Sequence, residues 1–202
     1  MSNYRYIIFH KPYGVLSQFT QESPKHRTLK EFIDVPNVYP VGRLDWDSEG
    51  LLLLTNDGQL QHCLAHPRFG HERTYWVQVE RIPDVDAIHR LQTGVEVQDY
   101  VTRPAEVKLL SEEPKVTERN PPIRYRKNVP TAWLEMTLTE GKNRQVRRMT
   151  AAVGFPTLRL IRVRIANIQL NHLQLGAWRD LSQPEINSLQ KSLRPNTKKS
   201  TS

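Results

Sequence analysis

Gly42-Arg43-Leu44-Asp45-Trp46-Asp47-Ser48-Glu49-Gly50-Leu51-Leu52-Leu53-Leu54-Thr55-Asn56-Asp57-Gly58 is the stretch from which the fold can be read. Gly42 and Gly50 bracket a segment in which three carboxylates alternate. After it comes a compact apolar run, Leu51 to Thr55, closed by the turn signal Asn56-Asp57-Gly58. A run this short, ended by turn residues, reads as a buried strand rather than a helix.

Working outward, Tyr4 to Phe9 is aromatic and β-branched and runs into His10-Lys11-Pro12-Tyr13-Gly14, a strand followed by a turn. Thr28-Leu29-Lys30-Glu31 has capping-box spacing and predicts a short helix to about Ile33, before Pro36. From Arg73 to Glu80 the residues alternate, with Tyr75, Val77 and Val79 on one face and Thr74, Trp76 and Gln78 on the other. Asp84 opens a helix with Val85, Ile88 and Leu91 on one stripe, stopped at Gly94. Alternation returns at Val107 and Leu109 and at Ala132, Leu134, Met136 and Leu138. Between them, residues 111–130 are charged and proline-rich, a long loop or insertion. A helix with Val146, Met149 and Val153 on one face ends at Gly154, a strand covers Leu158 to Ile165, and Ser182 with Glu185 caps a last helix that buries Ile186, Leu189 and Leu193. Strands outnumber helices and do not alternate regularly with them, so the class is α+β with a largely antiparallel sheet.

The chain has 202 residues, room for one domain or two small packed ones. Its net charge of +8 favours a polyanionic partner. It has no run of about 18 apolar residues to span a bilayer and no secretory leader, so a cytosolic protein is expected. Cys63 is its single cysteine, which removes any internal disulfide. Beside Leu60 and Leu64 it reads as a buried structural thiol. The seven histidines lack the paired spacing of a zinc motif, and there is no glycine-rich phosphate loop.

Two constellations could carry chemistry. Between Lys142 and Arg164 lie Arg144, Arg147, Arg148, Arg159 and Arg162 without one acidic residue. On the helix, Arg144, Arg147 and Arg148 would project together toward phosphate oxygens of single-stranded RNA; the alternative is a solvated face. The second is the segment quoted first. Asp45, Asp47, Glu49 and Gly50 imitate the first half of a calcium loop, but the position of its bidentate glutamate falls at Asn56. Asp45 alone, after the Gly42 turn and close to Arg43, could instead be an ionised carboxylate acting on the anomeric carbon of a sugar, or could merely cap a turn.

The phrase GRLDWDSEGLLLLTNDG at 42–58 resembles the catalytic motif of the RsuA-type pseudouridine synthases. YRYIIFHKPYGVLSQFT at 4–20, RTYWVQVE at 73–80, EGKNRQVRRM at 140–149, LRLIRVRI at 158–165 and GAWRDL at 176–181 follow in that family's order, so the resemblance covers about residues 4–182. It implies the pseudouridine synthase fold, an α+β largely antiparallel mixed sheet with flanking helices and a central catalytic cleft. It also implies isomerisation of a uridine in ribosomal RNA, 23S rRNA of the large subunit, with no cofactor and no metal. Asp45 would be the essential aspartate, Arg147 the basic residue paired with it, and Tyr75 the residue stacking on the uracil. Arg43 would help fill the space left by the flipped base and Leu160 would pack near the pocket. Lys142, Asn143, Arg144, Gln145, Arg148 and Arg162 would complete the RNA-binding surface, while Asp47 would be dispensable.

Arg73 stands where lysine is commoner in the family, and Trp46 fills a variable position of the motif. Many relatives carry a small RNA-binding domain ahead of the catalytic one. Here residues 1–193 are expected to form the catalytic domain alone, as two packed subdomains in a monomer, with target choice drawn from it and from the 111–130 loop. Residues 194–202 would be a basic, disordered tail. The rival reading is a catalytically silent RNA-binding or ribosome-assembly factor, disfavoured because Asp45, Tyr75 and Arg147 are all present.

Overall fold

The computed structural model describes residues 4–123 and 129–193; the expected tail and residues 124–128 of the expected loop lie outside them. In chain order the strands are β1 (Tyr6–Lys11), β2 (Val15–Leu16), β3 (Arg27–Thr28), β4 (Tyr39–Pro40), β5 (Glu49–Thr55), β6 (Arg73–Glu80), β7 (Glu96–Val97), β8 (Tyr100–Val101), β9 (Glu106–Leu109), β10 (Thr131–Leu138), β11 (Thr157–Ile165), β12 (Ile168–Gln169) and β13 (Trp178–Asp180). The α-helices are α1 (Gly58–Ala65), α2 (Val85–Thr93), α3 (Gln145–Ala152) and α4 (Gln183–Ser192).

One mixed sheet, in the order β13-β1-β5-β11-β6-β10-β9, carries the molecule, with β12 and β4 added beside β11 and β5. Its pairings are antiparallel except β5 with β11, which run parallel through Glu49↔Ile161 and Gly50↔Arg162. The α+β class with a largely antiparallel sheet is therefore what the chain adopts.

Strand alternation sends side chains to two faces. One face is continuous: Ile8, Leu53, Ile161 and Trp133 form a single core covered by Leu60 and Leu64 of α1 and Leu189 of α4. The other face is divided. At the β1–β5 end, Ile7, Phe9, Leu52 and Leu54 pack under Val15, Leu29, Ile33 and Val38. At the β6–β10 end, Val77, Val79, Leu134 and Met136 pack under Leu91 of α2 and Val146 and Met149 of α3. The gap between these two cores is a cleft floored by the middle of the sheet.

Several local expectations hold and others fail for identifiable reasons. Asp57 ends the apolar run by capping α1, accepting from the amides of Gln59 and Leu60, and its second oxygen takes the hydroxyl of Tyr6 at 2.8 Å. Ser182 and Glu185 form the expected capping box. Thr28 and Glu31 do not: Thr28 makes no side-chain cap, Glu31 is drawn to Arg27 at 2.8 Å, and only a single 3-10 turn forms at Leu29–Glu31. Val85 sits exposed at the first residue of α2, where the helix has not yet reached the core. Cys63 is only half-buried, because α1 turns Leu60 and Leu64 inward on the neighbouring positions.

Two features under the cleft constrain the fold. Gly50 has φ +104°, and a Cβ there would lie 2.3 Å from the Arg162 carbonyl oxygen and 2.6 Å from its amide nitrogen. Only glycine permits this approach of β5 to β11. Gly50→Ala is expected to lower unfolding free energy by at least about 2 kcal/mol, from backbone strain plus displacement of β11. Urea denaturation checks this, and a wild-type midpoint would contradict it.

The other is Lys11, which has no exposed surface and whose ammonium donates to the carbonyls of Val15 at 2.6 Å and Pro12 at 3.0 Å. Burial pushes its pKa from 10.5 down to about 7, opposed by Glu49, Asp47 and Asp45 and assisted by Arg162. Above that value the unfolded chain binds the extra proton, so Lys11 should make stability rise with pH from about 7 to about 10; below it both states are protonated and the contribution is flat. Lys11→Met is expected to remove this part of the slope. Urea midpoints taken across that range in both proteins would refute it by running in parallel.

Candidate active site

The cleft encloses about 550 Å³ and is lined by Arg43, Asp45, Trp46, Tyr75, Leu138, Lys142, Asn143, Arg144, Gln145, Leu160 and Arg162, among others. Asp45 sits on the loop before β5. Gly42, at φ +69°, makes the expected turn, and the Ser17 hydroxyl clamps Leu44 by donating to its carbonyl at 2.8 Å and accepting from its amide at 3.1 Å. The Gly14 amide donates to the Trp46 carbonyl at 2.9 Å, and the Ser48 amide to that of Asp45 at 3.1 Å. The loop is thus fixed from both sides, and the Asp45 carboxylate, 34% exposed, faces the cleft.

The charge pairing differs from the expectation. Asp45 is reached by Arg144, with Nη1 at 3.6 Å from Oδ2. Arg147 turns instead to Asp47: its Nη2 donates to the Asp47 carbonyl at 2.6 Å and its Nε lies 3.4 Å from the carboxylate. Asp45 remains a favourable charge for Arg147 without being its direct partner. Asp47 also takes a two-pronged bond from Arg144, at 2.9 and 2.8 Å. Burial works against the Asp47 charge, yet the Arg144 bonds and the charges of Arg147 and Arg144 hold its carboxyl below the usual range. Arg144 achieves this reach from a left-handed backbone, φ 50° and ψ 29°, at the N-cap of α3. Cations at a helix N-terminus oppose its dipole, and with no acidic residue in the first turn of α3, Asp47 supplies the compensation.

Other assigned residues divide in the same way. Tyr75, on β6, and Leu160, on β11, line the cleft at the edge of the core under α2 and α3. Arg162 is only 3% exposed, and its Nε donates to the Leu51 carbonyl at 2.8 Å. Burial pulls its pKa down, and Tyr75 heads the interactions that favour its charge. It is therefore a support beneath Tyr75 and not a surface phosphate contact. Gln145 is buried, donating to Glu140 and accepting the Lys142 amide at 3.0 Å, which makes it a brace of the 140–145 turn. Arg148 is turned to Asn143 at 3.0 Å, away from the Asp47 cluster, and Lys142 lies over the Tyr100 ring at 3.2 Å. Arg43 is exposed at the cleft rim. The three carboxylates of the loop diverge, since Glu49 is buried against Arg159, at 2.8 Å through both oxygens. Among the described residues no group of three or more His, Cys, Asp or Glu side chains is placed to hold a metal ion.

The family model for RNA pseudouridylate synthase matches residues 5–152. The chain belongs to the RNA pseudouridylate synthase family. It is 57% identical over 174 residues, 86% of this chain and 93% of the other, to ribosomal large subunit pseudouridine synthase E of Xanthomonas campestris pv. campestris. It is 50% identical to the protein of the same name from Vibrio parahaemolyticus, over 90% of this chain and 75% of that one. These likenesses place it in the RsuA/RluE-type branch. A crystal structure of a pseudouridylate synthase superposes with a TM-score of 0.77 at 28% identity, covering 94% of this chain and 75% of that one. The chain is accordingly an isomerase acting on RNA, with the pseudouridine synthase fold.

Ser17 and Lys11 had no role assigned from the sequence, and Asp47 and Arg159 were singled out there only as members of an acidic and a basic run. Asp47 stands two residues from Asp45 within the same motif, but nothing in the spacing says which carboxylate collects the arginines. Its position revises the expectation that it is dispensable. Asp47→Asn should leave the fold intact and lower turnover by about 10- to 100-fold, the cost of letting Arg144 and the Asp45 carboxylate drift by about 1 Å. Single-turnover pseudouridine formation measures it, and wild-type turnover would return Asp47 to a surface role.

Proposed function

We propose that this pseudouridine synthase converts one uridine of large-subunit ribosomal RNA, 23S rRNA, to pseudouridine, with Asp45 as the reacting carboxylate and Tyr75 as the platform for the uracil. The observation that carries the reading is the cleft itself: a partly exposed carboxylate on a rigid loop, beside Arg144, opposite an aromatic ring. The ribosomal target is supported by the names of the relatives most similar in sequence.

The reaction breaks the bond between uracil N1 and the sugar, turns the base and rejoins it through carbon 5, while the proton of carbon 5 moves to nitrogen. Atoms and electrons balance without a cofactor. An ionised Asp45 serves either opening step, attack on the anomeric carbon or removal of a neighbouring sugar proton. Arg144, with Nη1 3.6 Å from Asp45 Oδ2, orients the carboxylate. A paired or stacked uridine must leave its stack first, at a cost of about a few kcal/mol, which contacts to flanking nucleotides offset.

Asp45→Asn tests this with little change of volume. The variant is expected to melt like the wild type, to bind ribosomal RNA with similar affinity and to lose more than about a thousandfold in turnover. Mass spectrometry of the modified RNA decides: a folded Asp45→Asn protein that still makes pseudouridine at the normal rate would remove Asp45 from the chemistry.

A further inference from the structure

Trp46 is the residue between the two functional aspartates, and 43% of its surface is exposed. The three tryptophans of the sheet are engaged otherwise: Trp76 donates its indole N–H to Glu135 at 3.2 Å, Trp133 donates to Glu113 at 3.1 Å, and Trp178 packs against the core at the β1–β5 end. Trp46 instead lines the cleft beside Asp45. Its ring centroid lies 5.1 Å from that of Tyr13, tilted by 57°. Over the Tyr13 ring, at 4.4 Å, lies the guanidinium of Arg119, which donates to the Pro121 and Pro122 carbonyls.

From this geometry we infer that Trp46, backed by Tyr13 and Arg119, is a stacking site for a nucleobase next to the target uridine in the RNA. The inference rests on the RNA-modifying function proposed above and goes beyond it by assigning the site of a second nucleotide. When a uridine leaves its stack, the base beside it loses a neighbour, and an aromatic face next to the reacting carboxylate replaces that contact. Trp46 is well placed because its backbone is fixed on both sides. The Gly14 amide holds its carbonyl, and the next residue, Asp47, is locked by Arg144. Gly14 supplies that amide from a left-handed backbone, φ +76°, which favours glycine there. A prearranged surface costs little ordering on binding. Its occupant is a base and not an apolar protein side chain because the same rim carries the exposed cations Arg43 and Lys142, which suit a phosphate backbone. Arg119 joins residues 119–122 to this platform, giving that stretch a route to influence which RNA is accepted.

The test uses a ribosomal transcript that the wild-type protein converts, with each nucleotide flanking the target made abasic in turn. Trp46→Ala, checked for normal melting, should lower kcat/KM by about tenfold, the scale of one lost base stack, and Trp46→Phe should recover most of it. At one flanking position the abasic change should cost the wild type about tenfold and cost Trp46→Ala nothing more. Unchanged kcat/KM in Trp46→Ala, or losses that multiply at every flanking position, would overturn the stacking site while leaving the uridine chemistry standing. Absence of pseudouridine in every ribosomal transcript with wild-type protein would overturn both readings together.

Discussion

The parallel junction of β5 with β11 is only two residue pairs long, yet it determines where the site residues lie. Arg162 is in register with Gly50 on one side and with Tyr75 on the other, so one short piece of β11 ties the strand that follows Asp45 to the strand that bears Tyr75. The junction closes only because residue 50 lacks a side chain. It is locked from within by Glu49 and Arg159, whose side chains are 2% and 7% exposed. A buried ion pair of this kind adds little net stability over an apolar pair, but loss of one partner strands a buried charge, so it specifies this register against others.

Around that junction, arginines from the second half of the chain are consumed by carboxylates from the first. Asp47 takes Arg144 and Arg147, and Glu49 takes Arg159, across about a hundred residues of sequence. Each carboxylate neutralises repulsion that the clustered arginines would otherwise exert on one another in a confined cleft. The left-handed backbone of Arg144 is the local cost of this arrangement, offset by its two-pronged bond to Asp47. Fold and cleft therefore share the same groups: the bonds that dock α3 against the loop before β5 also hold Arg144 beside the Asp45 carboxylate.

Apolar runs and periodicity made β1, β5, β6, β9, β10 and β11 and the helices α2, α3 and α4 legible, because burial on one face imposes a two-residue or 3.6-residue repeat, whereas β4, β12 and β13 are too short to show one. The Thr28 cap failed because a capping box needs only four residues to be spelled, whereas Arg27, one residue earlier, competes for the same Glu31. Asp45, Tyr75 and Leu160, singled out by the family resemblance, all line the cleft. The partner of Arg147 was not legible, since Asp45 and Asp47 are equally good acceptors until the loop geometry chooses. Arg162 and Gln145 line the cleft but are buried in it, which a basic stretch does not announce: burial of each requires a specific acceptor, the Leu51 carbonyl or Glu140, from a distant or turning segment.

This redistribution changes how the positive charge of the chain must be understood. The basic run from Lys142 to Arg164 looks like a comb for phosphates, but Arg159 is held by Glu49, Arg164 by Glu72 and Arg147 by Asp47, while Arg162 is buried. A guanidinium already paired in the free protein releases no counterion when RNA arrives unless it first gives up its carboxylate, so it contributes little to the salt-dependent part of affinity. That part falls to exposed cations such as Arg43 and Lys142 at the cleft rim. With fewer free cations between Lys142 and Arg164 than that run suggests, the proposed hold on an unstacked uridine depends more heavily on close contacts in the cleft. The two aromatic faces next to the carboxylate, Tyr75 within the cleft and Trp46 at its edge, are the groups positioned to make them.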